Sequence, residues 1–195
     1  MIRAAVGIKA WIAKLPGVDE VRPARCVGCG TASRPVGQKL AVHGHGLLER
    51  QLRGVLEVGG APGVIVLSVR RYACLACKAV MTVVPAGVLA RRLYSVPSIA
   101  LALHLWLLTG LPDRVVRDQV CAWRVRGSSG RGWAQLYRWA RQPECVFALP
   151  RPTGALAGAY AVAKRVLTTL RSIAPVTRHA APIALQIFEG AAHAR

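Results

Sequence analysis

A chain of 195 residues, 53% of them hydrophobic, has the material for one ordinary domain or two small ones and for a packed core. Its 27 Lys+Arg against 8 Asp+Glu give a formal net charge of +19, which favours a polyanionic partner, most often nucleic acid. The charge is spread along the chain, which excludes a disordered basic tail, and no apolar run approaches the roughly 20 residues of a membrane span.

Nearly all the positive charge is arginine, since Lys9, Lys14, Lys39, Lys78 and Lys164 are the lysines. Arginine grips phosphate bidentately and reads guanine edges. A GC-rich coding bias inflates Ala, Arg, Gly and Val together, but it does not by itself make acids scarce. Residues 1–16 are interrupted by Lys9 and Lys14 and carry no cleavage site of a secretion signal. A cytoplasmic, nucleoid-associated protein with reduced thiols is the expectation.

In chain order, Ala4 to Leu15 reads as a short helix ended by Pro16-Gly17. A first cysteine pair follows at Cys26 and Cys29. A strand within 47–57 and a β-branched strand at 64–72 flank the breaker Gly59–Gly63. That second strand delivers the chain to Cys74 and Cys77, and another short strand covers 79–84. From residue 95 the pattern becomes helical. Ser95 caps a buried helix that stops at Thr109-Gly110, Asp113 to Trp123 suits a second helix, and Gly127–Gly132 is a turn. Trp133, Leu136, Tyr137 and Ala140 then mark one face of a third. Ala155–Ile173 and Pro182–Ala192 complete the helices. The expected architecture is α+β: a β-hairpin zinc ribbon with an amino-terminal extension (1–94), a helix-turn-helix-like region (95–142) and a helical extension (143–195).

Two CxxC pairs are the chemical signature. Each tight knuckle turns two thiolates to one side, and two knuckles complete the tetrahedron that structural zinc requires. Cys26, Cys29, Cys74 and Cys77 are therefore the expected Zn2+ ligands. The stretch 30–73 exceeds the roughly 15–20 residues usual between pairs, and a long hairpin insertion accounts for it. Neither pair sits at a helix start in a thioredoxin-like setting, which disfavours redox dithiols. His43 and His45 lie between the knuckles, but four cysteines already fill a site. Cys121 and Cys145 read as buried thiols and His104 as a core histidine. Among the basic residues, Arg50, Arg70, Arg71, Arg91 and Arg92 are candidates for phosphate contacts. Arg131, Gln135, Arg138 and Arg141 are those able to face the major groove from the last helix of a helix-turn-helix.

The order CxxCG, then His45-Gly46 with Arg50, then Val69-Arg-Arg-Tyr-Ala-Cys-Leu-Ala-Cys77, Arg91-Arg-Leu-Tyr-Ser95 and Trp133-xx-Leu-xx-Trp139 carries a resemblance. It resembles the amino-terminal zinc-ribbon and helix-turn-helix region of insertion-sequence transposases, and a related uncharacterised bacterial zinc-ribbon family, over about 24–142. This chain has Leu47-Leu48 where relatives carry an aromatic residue after His-Gly. Such transposases continue into a nuclease domain whose acidic triad binds two metal ions. Here Asp113, Asp118 and Glu144 are the nearest set, and 155–195 hold one acid, Glu189. The resemblance therefore implies a non-enzymatic protein that binds double-stranded DNA without strand transfer, alone, as a homo-oligomer or with a transposase partner. The alternative is a zinc-ribbon adaptor for protein or RNA.

Overall fold

A computed structural model of the chain describes residues 1–122, 133–149 and 158–194, apart from the side chains of Glu144 and Cys145. Trp123, the turn at Gly127–Gly132 and Arg131 lie outside the described residues. The fold is mixed α and β and divides into two compact units. The first comprises Met1–Gln51 and Val66–Ala90, the second Leu52–Ile65 and Arg91–Arg195. The tip of the long hairpin is thus grouped with the helices.

The strands are β1 (Ile2–Gly7), β2 (Val42–Gly54), β3 (Gly63–Cys74) and β4 (Val80–Ala86), in the sheet order β1-β4-β3-β2. β3 and β4 run antiparallel, with Arg70 opposite Val83 and Ala73 opposite Val80. β1 pairs parallel to β4, with Ile2 opposite Val83 and Gly7 opposite Ala86. The helix expected from Ala4 is corrected here: residues 2–7 are a strand, and only Ile8–Ala13 form helix α1. The alanines favour helix locally. A strand partner some eighty residues away, with Ile2, Ala4 and Val6 packed against the core, outweighs that preference.

The core of the first unit gathers Trp11, Val21, Val42, Tyr72, Met81 and Val83 with Cys26 and Cys74. The polar edges of its aromatics are partnered, as buried donors require. Trp11 Nε1 donates to the Ser68 carbonyl at 2.9 Å, and the Tyr72 hydroxyl donates to the Val18 carbonyl at 2.7 Å. Arg70 Nε donates to the Pro16 carbonyl at 2.6 Å. Arg22 lies over the Tyr72 ring at 5.6 Å, donates to the Val42 carbonyl and pairs with Asp19 at 2.8 Å. These bonds pin the segment that leads into the first cysteine pair.

In the second unit, helix α2 (Val96–Leu107) is buried continuously from Val96 to His104. Ser95 caps it by accepting from the Ser98 N–H at 3.2 Å, and Pro97 sits in the first turn, as expected. Helices α3 (Asp113–Val120), α4 (Ala134–Arg141), α6 (Gly158–Ser172) and α7 (Ile183–His193) pack against α2, and the short α5 (Pro143–Phe147) packs on α4 and α6. No described helix is long and apolar enough to cross a membrane.

Ser98 joins the hairpin tip to α2. Its hydroxyl donates to the Val55 carbonyl at 2.9 Å and accepts from the Val55 N–H at 3.0 Å. Gly54 stands at φ 115, and a Cβ there would lie 2.3 Å from Ser98 Oγ, so both backbone angle and space demand glycine. Ser98→Ala removes the partner of both Val55 groups and is expected to cost about 2–4 kcal/mol in chemical denaturation. A loss under about 0.5 kcal/mol would contradict that role.

His104 is 6% exposed, its Nδ1 has no partner among the described residues, and burial lowers its pKa from the ordinary 6.5. The folded state therefore binds this proton less readily than the unfolded chain. Its contribution is retained above about pH 6.5 and is lost as pH falls below that value. His104→Leu should flatten the fall in melting temperature between neutral and mildly acidic pH relative to the wild type.

Candidate metal centre

The two cysteine pairs build the same knuckle. The Cys26 N–H donates to the Thr31 carbonyl at 2.9 Å and the Gly30 N–H to the Cys26 carbonyl at 2.9 Å. The Cys74 N–H donates to the Ala79 carbonyl at 3.0 Å and the Lys78 N–H to the Cys74 carbonyl at 2.9 Å. The residue after the second cysteine is left-handed in both, Gly30 at φ 75 and Lys78 at φ 63. β3 ends on Cys74 and β4 begins three residues after Cys77, so a tight hairpin forms the second knuckle. The first is tied to it through Ala41, whose N–H donates to the Ser33 carbonyl and whose carbonyl accepts from the Leu75 N–H, both at 2.9 Å.

All four Sγ atoms lie within 4.8 Å of one another. Cys26 and Cys77 are 3.6 Å apart and Cys29 and Cys74 3.7 Å, so each short approach links the two knuckles crosswise. A disulfide needs about 2.05 Å. Four sulfurs each about 2.3 Å from a central ion stand about 3.8 Å apart. One cysteine of each knuckle, Cys26 and Cys74, is buried in the core, while Cys29 and Cys77 are exposed.

The surroundings favour thiolates. The Thr31 hydroxyl and backbone N–H lower Cys29 to about 6, and the Cys29 and Gly28 backbone N–H groups lower Cys26. At Cys77 the Ala79 N–H also favours ionisation, but the neighbouring Cys29 and Cys26 sulfurs outweigh it and push the thiol up to about 12. Crowded sulfurs disfavour a further negative charge, as like charges sharing a site do, and a metal cation would relieve that crowding. The four cysteines are thus a candidate metal site, with the ligand set expected from the sequence. Neither histidine between the knuckles joins it: His43 Nε2 is bonded to the Leu40 carbonyl at 2.6 Å, and His45 is exposed.

The candidate phosphate-contacting residues are placed unevenly. Arg50 and Arg70 are half-buried and donate to the Leu89 and Pro16 carbonyls. Arg71 and Arg92 are half-buried; Arg91 is exposed with a left-handed φ of 55. On α4, Arg138 and Arg141 are exposed and Gln135 is half-buried, while Leu136 and Trp139 face the core. α3 and α4 are joined by residues 121–133, and the Trp133 N–H donates to Asp113 Oδ2 at 2.9 Å. Cys121 is buried and accepts from the Tyr94 hydroxyl at 2.7 Å. Asp113 and Asp118 join no cluster of metal-ligating side chains among the described residues.

No family model, curated protein or solved structure matches this chain.

The sequence signal for the converging cysteines is the CxxC spacing. The equivalence of Gly30 and Lys78 has no such signal, since lysine hides a position that favours glycine. A Cβ on Gly30 meets nothing within 4 Å, so Gly30→Ala tests backbone angle alone and should cost about 1 kcal/mol. Lys78→Gly, relieving the matching angle, should stabilise by up to about 1 kcal/mol. Denaturation curves in which the two changes have the same sign would argue against matched knuckles.

Proposed function

We propose that Cys26, Cys29, Cys74 and Cys77 hold one structural Zn2+ and that the chain is a transposase-related, zinc-ribbon DNA-binding protein without nuclease activity. The observation that carries the metal reading is the convergence of four sulfurs at distances suited to a tetrahedral ion. An all-cysteine set leaves no coordination position for substrate, which favours a scaffolding over a catalytic metal. The thiolates require a compartment that keeps them reduced, in keeping with a cytoplasmic, nucleoid-associated protein.

The DNA reading rests on the +19 charge and on the exposed arginines, Arg91 and those of α4. A helix-turn-helix is its finer form, with Arg138 and Arg141 facing the duplex. A zinc-ribbon adaptor for protein or RNA is the second reading, and the observation favouring it is the edge strand β2, which exposes Leu47 and Leu48. An exposed edge can accept a partner strand.

Elemental analysis should find about one zinc per chain, and chelation should unfold the first unit, because zinc-binding free energy is folding free energy. Cys74→Ser, at a buried ligand, should be more damaging than Cys29→Ser at an exposed one. A metal-free chain that remains fully folded would refute the site. In gel-shift titrations duplex DNA should bind with an affinity that falls steeply as salt rises. Absent or salt-insensitive binding would remove the DNA reading, and binding to RNA or protein alone would favour the adaptor.

A further inference from the structure

The carboxyl-terminal helices carry a polar arrangement separate from the cysteines. Arg171, in the last turn of α6, donates from Nε to Gln186 Oε1 on α7 at 2.8 Å. Gln186 is 4% exposed, and its Nε2 donates to the His179 carbonyl at 3.0 Å and the Ala181 carbonyl at 2.7 Å. Carbonyls only accept, so both amide hydrogens are committed and Oε1 is fixed toward Arg171. The plane of the guanidinium is set by a buried partner rather than by solvent. No acceptor among the described residues takes its terminal Nη groups.

Beside it is a shallow cavity of about 370 Å3 lined by Thr168, Arg171, Ser172, His179 and Gln186, with no carboxylate among them. His179 donates from Nε2 to the Ala174 carbonyl at 3.0 Å, which fixes its ring as well. Lys164, Arg165 and Arg178 are exposed on α6 and on the 3-10 turn Val176–Arg178. The only acid among residues 158–194 is the half-buried Glu189.

We infer that this cavity is a subsite for one phosphodiester group of a nucleic-acid backbone, gripped by the Nη fork of Arg171 in the orientation Gln186 imposes. A fork held at its Nε presents two N–H groups to a phosphate at reduced entropic cost, and charge-assisted bidentate pairs are the strong ones. The flanking cations favour an extended polyanion over an isolated ion. The subsite offers no group that reads a base, so it positions the duplex without specifying sequence. The inference rests on the DNA-binding reading and adds a contact that the sequence did not suggest.

The test uses the full zinc-loaded chain and a short fluorescent duplex over a salt series. It compares wild type, Arg171→Gln, Arg171→Lys and, as a charge-matched control, Arg3→Gln at an exposed position of β1. Arg171→Gln should weaken binding about three- to tenfold and flatten the salt slope by about 0.9, the loss of one phosphate contact. Arg171→Lys should keep most of the slope yet still lose affinity, because the fork is gone. Arg3→Gln should change affinity less than about twofold. If Arg171→Gln matches Arg3→Gln while wild type binds, the subsite is wrong and the DNA reading stands; if wild type does not bind, both fall. The Arg171 Nε–H resonance identifies the source of the phosphate. It should shift at duplex concentrations near Kd and respond to inorganic phosphate only at tens of millimolar. Saturation by inorganic phosphate at lower concentration than by duplex would make this a free-phosphate site and overturn the proposal.

Discussion

Four cysteine sulfurs held within 5 Å are the constraint on which the first unit depends. Cys26 and Cys74 are members of the same apolar cluster as Trp11, Tyr72 and Met81, so the sulfur cluster and the hydrophobic core are one body. The second knuckle is also the turn that sets β3 against β4, and β4 in turn is the template for β1. Loss of the convergence would therefore disturb the sheet as well as the site. The crosswise approach of Cys26 to Cys77 and Cys29 to Cys74 follows from two knuckles with the same backbone bonds facing one another.

The arginines show why net charge is a poor map of a binding surface. Arg22, Arg50 and Arg70 donate to backbone carbonyls of their own unit. In those positions they tie together segments of the first unit that are distant in the chain. The charge still contributes to the field around the molecule, and each of these side chains commits at least one of its donors to such a carbonyl. Other cations are exposed, among them Arg3, Arg91 and those of α4, α6 and the 3-10 turn.

In the second unit the corresponding organiser is small and polar. Ser98 is fully buried at the start of α2, and its hydroxyl satisfies both backbone groups of Val55 while Gly54 leaves room for the approach. Around α2 the helices then pack by ordinary apolar faces, such as Val162, Ala163, Val166, Leu167 and Leu170 on α6.

Local chemistry made part of this legible in the sequence. The CxxC pairs named the four cysteines that converge, because a two-residue spacing turns both sulfurs to one side. Ser95 and Pro97 named the start of α2, and β-branched residues named β3, because caps and strand propensities act within a few residues. Tertiary structure alone decided the rest. β1 is a strand because β4 is there to pair with it; Lys78 is left-handed because its knuckle repeats that of Gly30; and Arg171 is oriented because Gln186, fifteen residues on, has no other use for its oxygen. Each depends on groups far apart in the chain, and a pattern read along the sequence carries no record of which distant groups folding brings within reach.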